Sequence, residues 1–418
     1  MPFRLFLLVV WLLLGSGGPA CAQLLGRLDS LQATYPFLNT ATNRIENAQL
    51  GLQHFYRQLA RLPTYPTELP GERVSVVHIG DSHLQADEFS GRVRRELQRT
   101  YGNAGRGLAF PFGVAKMGGS PTFRTKATAG HWRARRVLAV PDSTLPIGLS
   151  GISLATADSG AAFTLRIPAW GRPDYRFSRL TLLREPGPTA FDWQVHDARG
   201  RLLATVPGAG PSLSSAVVFD SLRDFVELRT VRRRPGQTGT RLYGLLLDNG
   251  RAGLVYHAIG VNGAAVRHYN RALQFFAQQP LLQPDLVIVS LGTNDAYDAG
   301  FSPQRFAQQL DTLVSRLRRG SPQADVLLTA PADSYRARRY RNPDLVRLRT
   351  VLQAYCAAHD LAYWDFAAVQ GGYGSMRAWQ AHGLAQPDLV HFTTKGYELQ
   401  GLLLYLALQD GFSLPPPR

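Results

Sequence analysis

Cysteine is nearly absent from this chain: two in 418 residues, Cys21 and Cys356. Cys21 falls at the expected end of a leader, so Cys356 is left alone. A disulfide framework is thereby excluded, and a cysteine–histidine zinc site has too few ligands. Lysine is almost as scarce, at Lys116, Lys126 and Lys395, so arginine supplies nearly all of the 46 basic residues. Against 30 acidic residues the net charge is +16, with a pI near 10.3. Such an excess favours an anionic partner, which for an exported chain means acidic glycan, wall polymer or membrane surface rather than nucleic acid. Dispersed, solvated arginines reflecting coding composition account for the same charge and carry equal weight. Long apolar runs are also missing beyond the N-terminus, so no transmembrane segment is expected in the mature chain. There is no repeat of solenoid period and no long low-complexity run.

The N-terminus reads as a secretion signal. Arg4 is its positive start, Leu5 to Leu14 its apolar stretch, and Ala20-Cys21-Ala22 an A-x-A cleavage site before Gln23. The expectation is export to the periplasm or outside the cell, with cleavage near Ala22. A lipid anchor on Cys21 is the lesser expectation, because Gly18-Pro19-Ala20 poorly matches the aliphatic residue that such sites favour.

A chain of this length with 45% hydrophobic residues buries a large core and more than one domain. Helical spacing of Leu52, Phe55, Leu59 and Leu62 is followed by a loop over 63–71 and an apolar strand, Val74 to Ile79. Phe89, Val93 and Leu97 then repeat at helical spacing until Tyr101-Gly102. Between about Pro121 and Asn249 the period falls to two. Phe163, Leu165 and Ile167 alternate with polar residues, as do Phe191, Trp193 and Val195 before an Asp197-Ala198-Arg199-Gly200 turn and a Leu202-to-Val206 return. This predicts a β-sandwich or jelly roll. After Gly250 an α/β rhythm resumes, with strands at 254–259, 286–291, 326–329 and 361–366. One helix is capped by Ser302 with Pro303 at its first position, another follows Asn342-Pro343, and a third covers 394–408. The expected organisation is a leader at 1–22, an α/β domain in two parts at 23–120 and 250–418, and a β-sandwich insert at 121–249.

Acyl transfer needs a nucleophile, a base, a group fixing the base's tautomer, and donors aimed at the oxyanion. Gly80-Asp81-Ser82-His83 ends the first strand and offers Ser82 as nucleophile. Asp388-Leu389-Val390-His391 offers His391 as base and Asp388 as its orienter. Ser82 N–H, Gly263 N–H and the Asn294 side-chain amide are the expected oxyanion donors. Gly263 lies in Gly260-Val261-Asn262-Gly263 and Asn294 in Gly292-Thr293-Asn294-Asp295, each after a strand, so all would converge at the carboxyl edge of a parallel sheet. The chemistry is that of a serine esterase and calls for no metal or organic cofactor.

These blocks, in this order, resemble those of the SGNH (GDSL) hydrolase superfamily. The resemblance implies a three-layer α/β/α fold with a parallel central sheet, and it carries the roles of nucleophile, oxyanion donors and Asp-His pair onto Ser82, Gly263, Asn294, Asp388 and His391. The run Gly80 to Asp87, the Gly105-Arg106-Gly107 loop and the β-rich insert are similar to two-domain bacterial peptidoglycan O-acetylesterases, whose jelly-roll insert resembles a carbohydrate-binding module. It implies an acetylated glycan, cell-wall in origin, as substrate. His83 stands where many relatives have leucine. Other classes fit the same residues: an O-acetyltransferase acting with an export partner, a short-chain lipid esterase or thioesterase, or a glycan-binding protein with a dormant site.

Each residue also has a plainer reading. Gly80-Asp81-Ser82 is a common turn, Asn294 a helix cap, and Gly263 a positive-φ glycine. His83, His257 and His382 are expected in structure or pocket lining, and Asp295 and Asp298 as loop carboxylates. Trp132, Trp170 and Trp193 are core residues of a sandwich or, less often, sugar-stacking surfaces.

Overall fold

The structure, a computed structural model, describes residues 19–63, 67–169, 173–298 and 300–413. The expected leader lies almost wholly outside them, as does Trp170. The chain from Pro19 to Thr34 is helical. No helix among the described residues is long and apolar enough to cross a membrane.

A six-stranded sheet carries the site. Its spatial order is Ile45–Glu46, Ala362–Trp364, Asp325–Thr329, Leu286–Ser290, Arg73–Gly80 and Gly253–Gly260. All neighbours run parallel except the edge strand Ile45–Glu46. Strands buried on both faces read as continuous apolar runs, which is why 74–79 and 286–289 lack polar alternation. Val74 and Val76 face one core with Leu254, Ile288 and Leu327, covered by the helices Gln53–Arg61, Phe89–Tyr101 and Thr394–Ser413. Val77 and Ile79 face the other with Val287, Val289 and Leu328, covered by Pro303–Gly320 and Pro343–Ala358. The result is a three-layer α/β/α arrangement.

The helix boundaries follow local chemistry. Ser302 Oγ accepts from Arg305 N–H, and the Asn342 side chain accepts from Asp344 N–H, each with proline at the first helical position. The last helix runs on to Ser413, beyond the expected Leu408, because Leu403 to Leu408 and Gly411 stay buried. Cys356 is a buried thiol.

Residues between the first two strands of the parallel sheet build two antiparallel sheets. One has the order Leu202–Val206, Asp192–His196, Phe225–Val231, Ala162–Arg166, Arg124–Ala129. The other has the order Ser214–Arg223, Phe177–Arg184, Thr240–Asp248, Ile152–Thr156, Arg133–Arg136. Gly107–Ala109 pairs with Leu245 to Leu247 of this second sheet. Period-two alternation places Phe163, Leu165, Trp193 and Val195 inward, against Leu180, Leu182 and Leu245. That core is continuous with the face of the parallel sheet bearing Val77 and Ile79.

Candidate active site

Strand Arg73–Gly80 delivers the nucleophile turn. Gly80 has no room for a side chain, since a Cβ would lie 3.0 Å from Ser290 O and 2.9 Å from Leu84. Asp81 then caps the single helical turn Ser82–Gln85 by accepting from His83 N–H at 3.0 Å. Ser82 Oγ, half-buried, lies 2.8 Å from His391 Nε2.

The expected base, His391, lies in a tight turn before the last helix. The two Asp388 oxygens divide the work: Oδ1 accepts the backbone N–H of Val390 (2.9 Å) and His391 (3.0 Å), while Oδ2 sits 2.7 Å from His391 Nδ1. Leu389 closes the turn at φ 57°, a left-handed conformation costing a side-chain-bearing residue about 1–2 kcal/mol. Its fully buried side chain offsets that strain. Burial pushes the Asp388 carboxyl up, but the His391 ring and the two backbone donors outweigh it and hold the group below its ordinary value. Asp388 is therefore an anion facing Nδ1, which fixes Nδ1 as the protonated nitrogen and leaves Nε2 to accept from Ser82.

Two of the expected oxyanion donors, Gly263 and Asn294, lie on turns that hydrogen bonds join to the Ser82 turn. Gly263 has φ 81°, so the positive-φ reading of this glycine holds. Neither Ser82 N–H nor Gly263 N–H bonds to another described residue. The Gln85 side chain steadies the Gly263 turn by accepting from Asn262 N–H (2.8 Å) and donating to Gly118 O (3.0 Å). The Asn294 amide donates to Ala264 O (2.9 Å) and to Asp81 Oδ2 (3.2 Å), tying all three strand-end turns together. Burial pushes the Asp81 carboxyl up to about 7. Asp295 departs from the loop expectation: it lies in the short helix Thr293–Tyr297, accepts Val266 N–H at 3.2 Å, and is pushed by burial to about 6. Asp298 does sit on the exposed end, paired with Arg267 at 2.6 Å.

The histidines divide. His83 is buried with its ring centroid 5.3 Å from that of His391, and its Nδ1 lies 3.0 Å from Tyr397 Oη. His257 is buried and its Nδ1 accepts Leu108 N–H at 3.1 Å, while His382 is exposed against Phe37. Burial lowers both His83 and His257 to about 3, so they are neutral. Trp193 is fully buried and stacked on the half-exposed Trp132, which leaves Trp193 no face for a sugar.

Two features escaped sequence reasoning. Asp87 is buried between Arg94, which donates to both its oxygens (2.9 and 2.7 Å), and Arg106 (2.7 Å), with Ser90 and Ser120 completing its shell. Arg94 also donates to Tyr175 Oη at 3.0 Å, and Arg106 to Thr122 at 2.7 Å, so the nucleophile segment is tied to the start of the sandwich. The motif-like run ending at Asp87 and the Gly105-Arg106-Gly107 loop were the available signals. His78, inside the nucleophile strand, bonds Tyr256 Oη (2.6 Å) and Ser290 Oγ (2.7 Å), and nothing in the sequence pattern marks it.

The GDSL-like Lipase/Acylhydrolase family matches residues 220–399, which include Gly263, Asn294, Asp388 and His391 but not Ser82. No curated protein sequence matches. Among solved structures, a peptidoglycan O-acetylesterase superposes with a TM-score of 0.70 at 20% identity, over 87% of this chain and 97% of that one. A lipase/acylhydrolase from Enterococcus faecalis aligns over 40% of this chain and 80% of that one at 23% identity, with a TM-score of 0.29. A salicylyl-acyltransferase from a tetracycline biosynthetic pathway aligns over 68% and 96% at 15% identity, with a TM-score of 0.30. The latter part of the chain is thus similar to the GDSL-like Lipase/Acylhydrolase family, and the fold, an α/β/α domain interrupted by a β-sandwich, is shared with the peptidoglycan O-acetylesterase.

Proposed function

We propose that this chain is an exported serine esterase that removes O-acetyl groups from a cell-wall glycan. The observation carrying the proposal is the continuous chain Ser82 Oγ, His391 Nε2, His391 Nδ1, Asp388 Oδ2, with links of 2.8 and 2.7 Å. The fold shared with a peptidoglycan O-acetylesterase supports the substrate, and the Arg4 to Ala22 pattern supports export. The working division keeps 23–120 and 250–418 as the hydrolase unit and 121–249 as the insert.

His391 accepts the Ser82 proton as Oγ attacks the acetyl carbonyl, and Asp388 stabilises the imidazolium. Ser82 N–H, Gly263 N–H and Asn294 receive the tetrahedral oxyanion, Asn294 exchanging its longer bond to Asp81 for one to the substrate. The imidazolium returns its proton to the departing sugar oxygen, leaving acetyl-Ser82. Water, deprotonated by His391, then attacks the acetyl-enzyme; acetate departs and the proton returns to Oγ.

The test is acetate release by the purified mature chain from O-acetylated wall glycan, with chemically de-acetylated glycan as control. Release from the first alone, abolished by Ser82→Ala, is expected. Absence of release, or a preference for long acyl chains in a series of ester substrates, overturns the reading.

A further inference from the structure

A two-stranded hairpin, Tyr335–Arg336 paired with Tyr340–Arg341, touches both segments that carry the candidate site. Tyr335 N–H donates to Leu389 O at 2.9 Å, inside the Asp388–His391 turn. On the opposite side, Ala337 N–H reaches Tyr297 Oη at 3.4 Å and Asn342 Nδ2 donates to Ala296 O at 3.2 Å, both in the helix bearing Asn294. The hairpin is thus fixed to the base turn and to the oxyanion side at once.

Its outer surface is cationic. Arg338, Arg339, Arg341 and the adjoining Arg377 are exposed. Arg336 and Arg347 share Asp344, but these four make no ion pair with a carboxylate among the described residues. Arg339 lies over Tyr340 (5.3 Å) and Arg341 over Tyr373 (5.6 Å), while Arg377 lies over Tyr335 (5.2 Å). Tyr340 and Tyr373 are themselves 60% and 46% exposed, far more than folding requires of a tyrosine. Stacking pre-orders guanidinium groups whose planar forks match carboxylates, and the open ring edges suit a sugar.

We propose that this rim binds carboxylate groups of a polymeric glycan, on a unit next to the one whose acetyl ester meets Ser82. The inference rests on the proposed esterase reading and narrows it: the substrate is an anionic glycan strand, not a neutral acetylated one. The hairpin bonds to Leu389, Tyr297 and Ala296 and not to Ser82, so the charge recognised is assigned to a unit beside the reacting ester. A small neutral ester bypasses the rim.

The test compares O-acetylated wall glycan with the same glycan after its carboxyl groups are converted to amides with the esters retained. Amidation is expected to raise KM about tenfold with little change in kcat, as three exposed charge contacts warrant. Arg339→Gln/Arg341→Gln/Arg377→Gln should reproduce that rise on the carboxylated glycan, show no further loss on the amidated one, and leave aryl acetate hydrolysis unchanged. Lysine at the same three positions should restore much of the affinity. Equal KM for both glycans, or a triple variant indistinguishable from the parent, overturns the proposal. If no glycan releases acetate, the esterase reading fails separately. Co-sedimentation of the Ser82→Ala protein with carboxylated and amidated insoluble glycan then judges the rim alone, and equal binding to both refutes it.

Discussion

Asp388→Asn separates the two jobs of one carboxylate. In the parent, Oδ1 serves two backbone N–H groups and Oδ2 faces the imidazole. Asparagine keeps one oxygen. If that oxygen stays with Val390 and His391 N–H, the turn is preserved and the amide nitrogen faces Nδ1. The alternative flip points an N–H donor at two N–H donors and forfeits both bonds, about 1–3 kcal/mol at 0.5–1.5 kcal/mol each. The first orientation therefore wins. It makes Nδ1 an acceptor and puts the ring proton on Nε2, where it points at Ser82 Oγ and blocks proton acceptance. The expected loss in kcat/KM on an aryl acetate is ~10⁴-fold, with thermal unfolding little changed. Asp388→Ala should lose comparable activity but also melt lower, because the turn holding Leu389 at positive φ loses both acceptors. Activity of Asp388→Asn within tenfold of the parent would refute the tautomer argument, and with it the assignment of His391 as base.

Asn294→Ala should lower kcat for the same ester by about a hundredfold to a thousandfold, the value of one side-chain oxyanion donor, with circular dichroism unchanged. Asp87→Asn leaves Arg94 and Arg106 buried without a counter-charge and should destabilise the fold by about 3–5 kcal/mol in urea unfolding; a change under about 1 kcal/mol would mean the cluster is not a structural lock. Asp81, Asp295 and Asp325 have carboxyls that burial raises to about 7, 6 and 6. Because each is raised above its unfolded value, its contribution is complete below about pH 4 and is lost as pH rises through the folded values, so these groups make stability decline between about pH 4 and 7. Substituting Asp81 by asparagine should flatten that stretch of the Tm-against-pH curve, and an unchanged slope would contradict its raised value.

Much of the architecture was legible because it depends on local periodicity and on short-range caps. Apolar runs at 74–79 and 286–289 announced strands buried on both faces, alternation at 163–167 and 191–195 announced a sandwich, and Ser302-Pro303 fixed a helix start to the residue. Asp388 and His391 were readable as a pair because the three-residue spacing closes within one turn. Asp295 was misjudged as a loop carboxylate, since its acceptor role depends on Val266, which only folding brings alongside. His83 and Tyr397 meet for the same reason, from segments far apart in the chain.

The sequence by itself singled out the candidates for acyl chemistry and the periodicities of strand and helix, because those properties follow from side-chain type and neighbours within a few positions. Only the tertiary structure decided that Ser82 lies 2.8 Å from His391, more than three hundred residues later, that Asn294 joins three turns, and that an arginine-tyrosine hairpin bonds to two of these segments. Parallel strands bring their ends to one edge wherever they lie in the chain, and no pattern along the sequence encodes the distances across that edge.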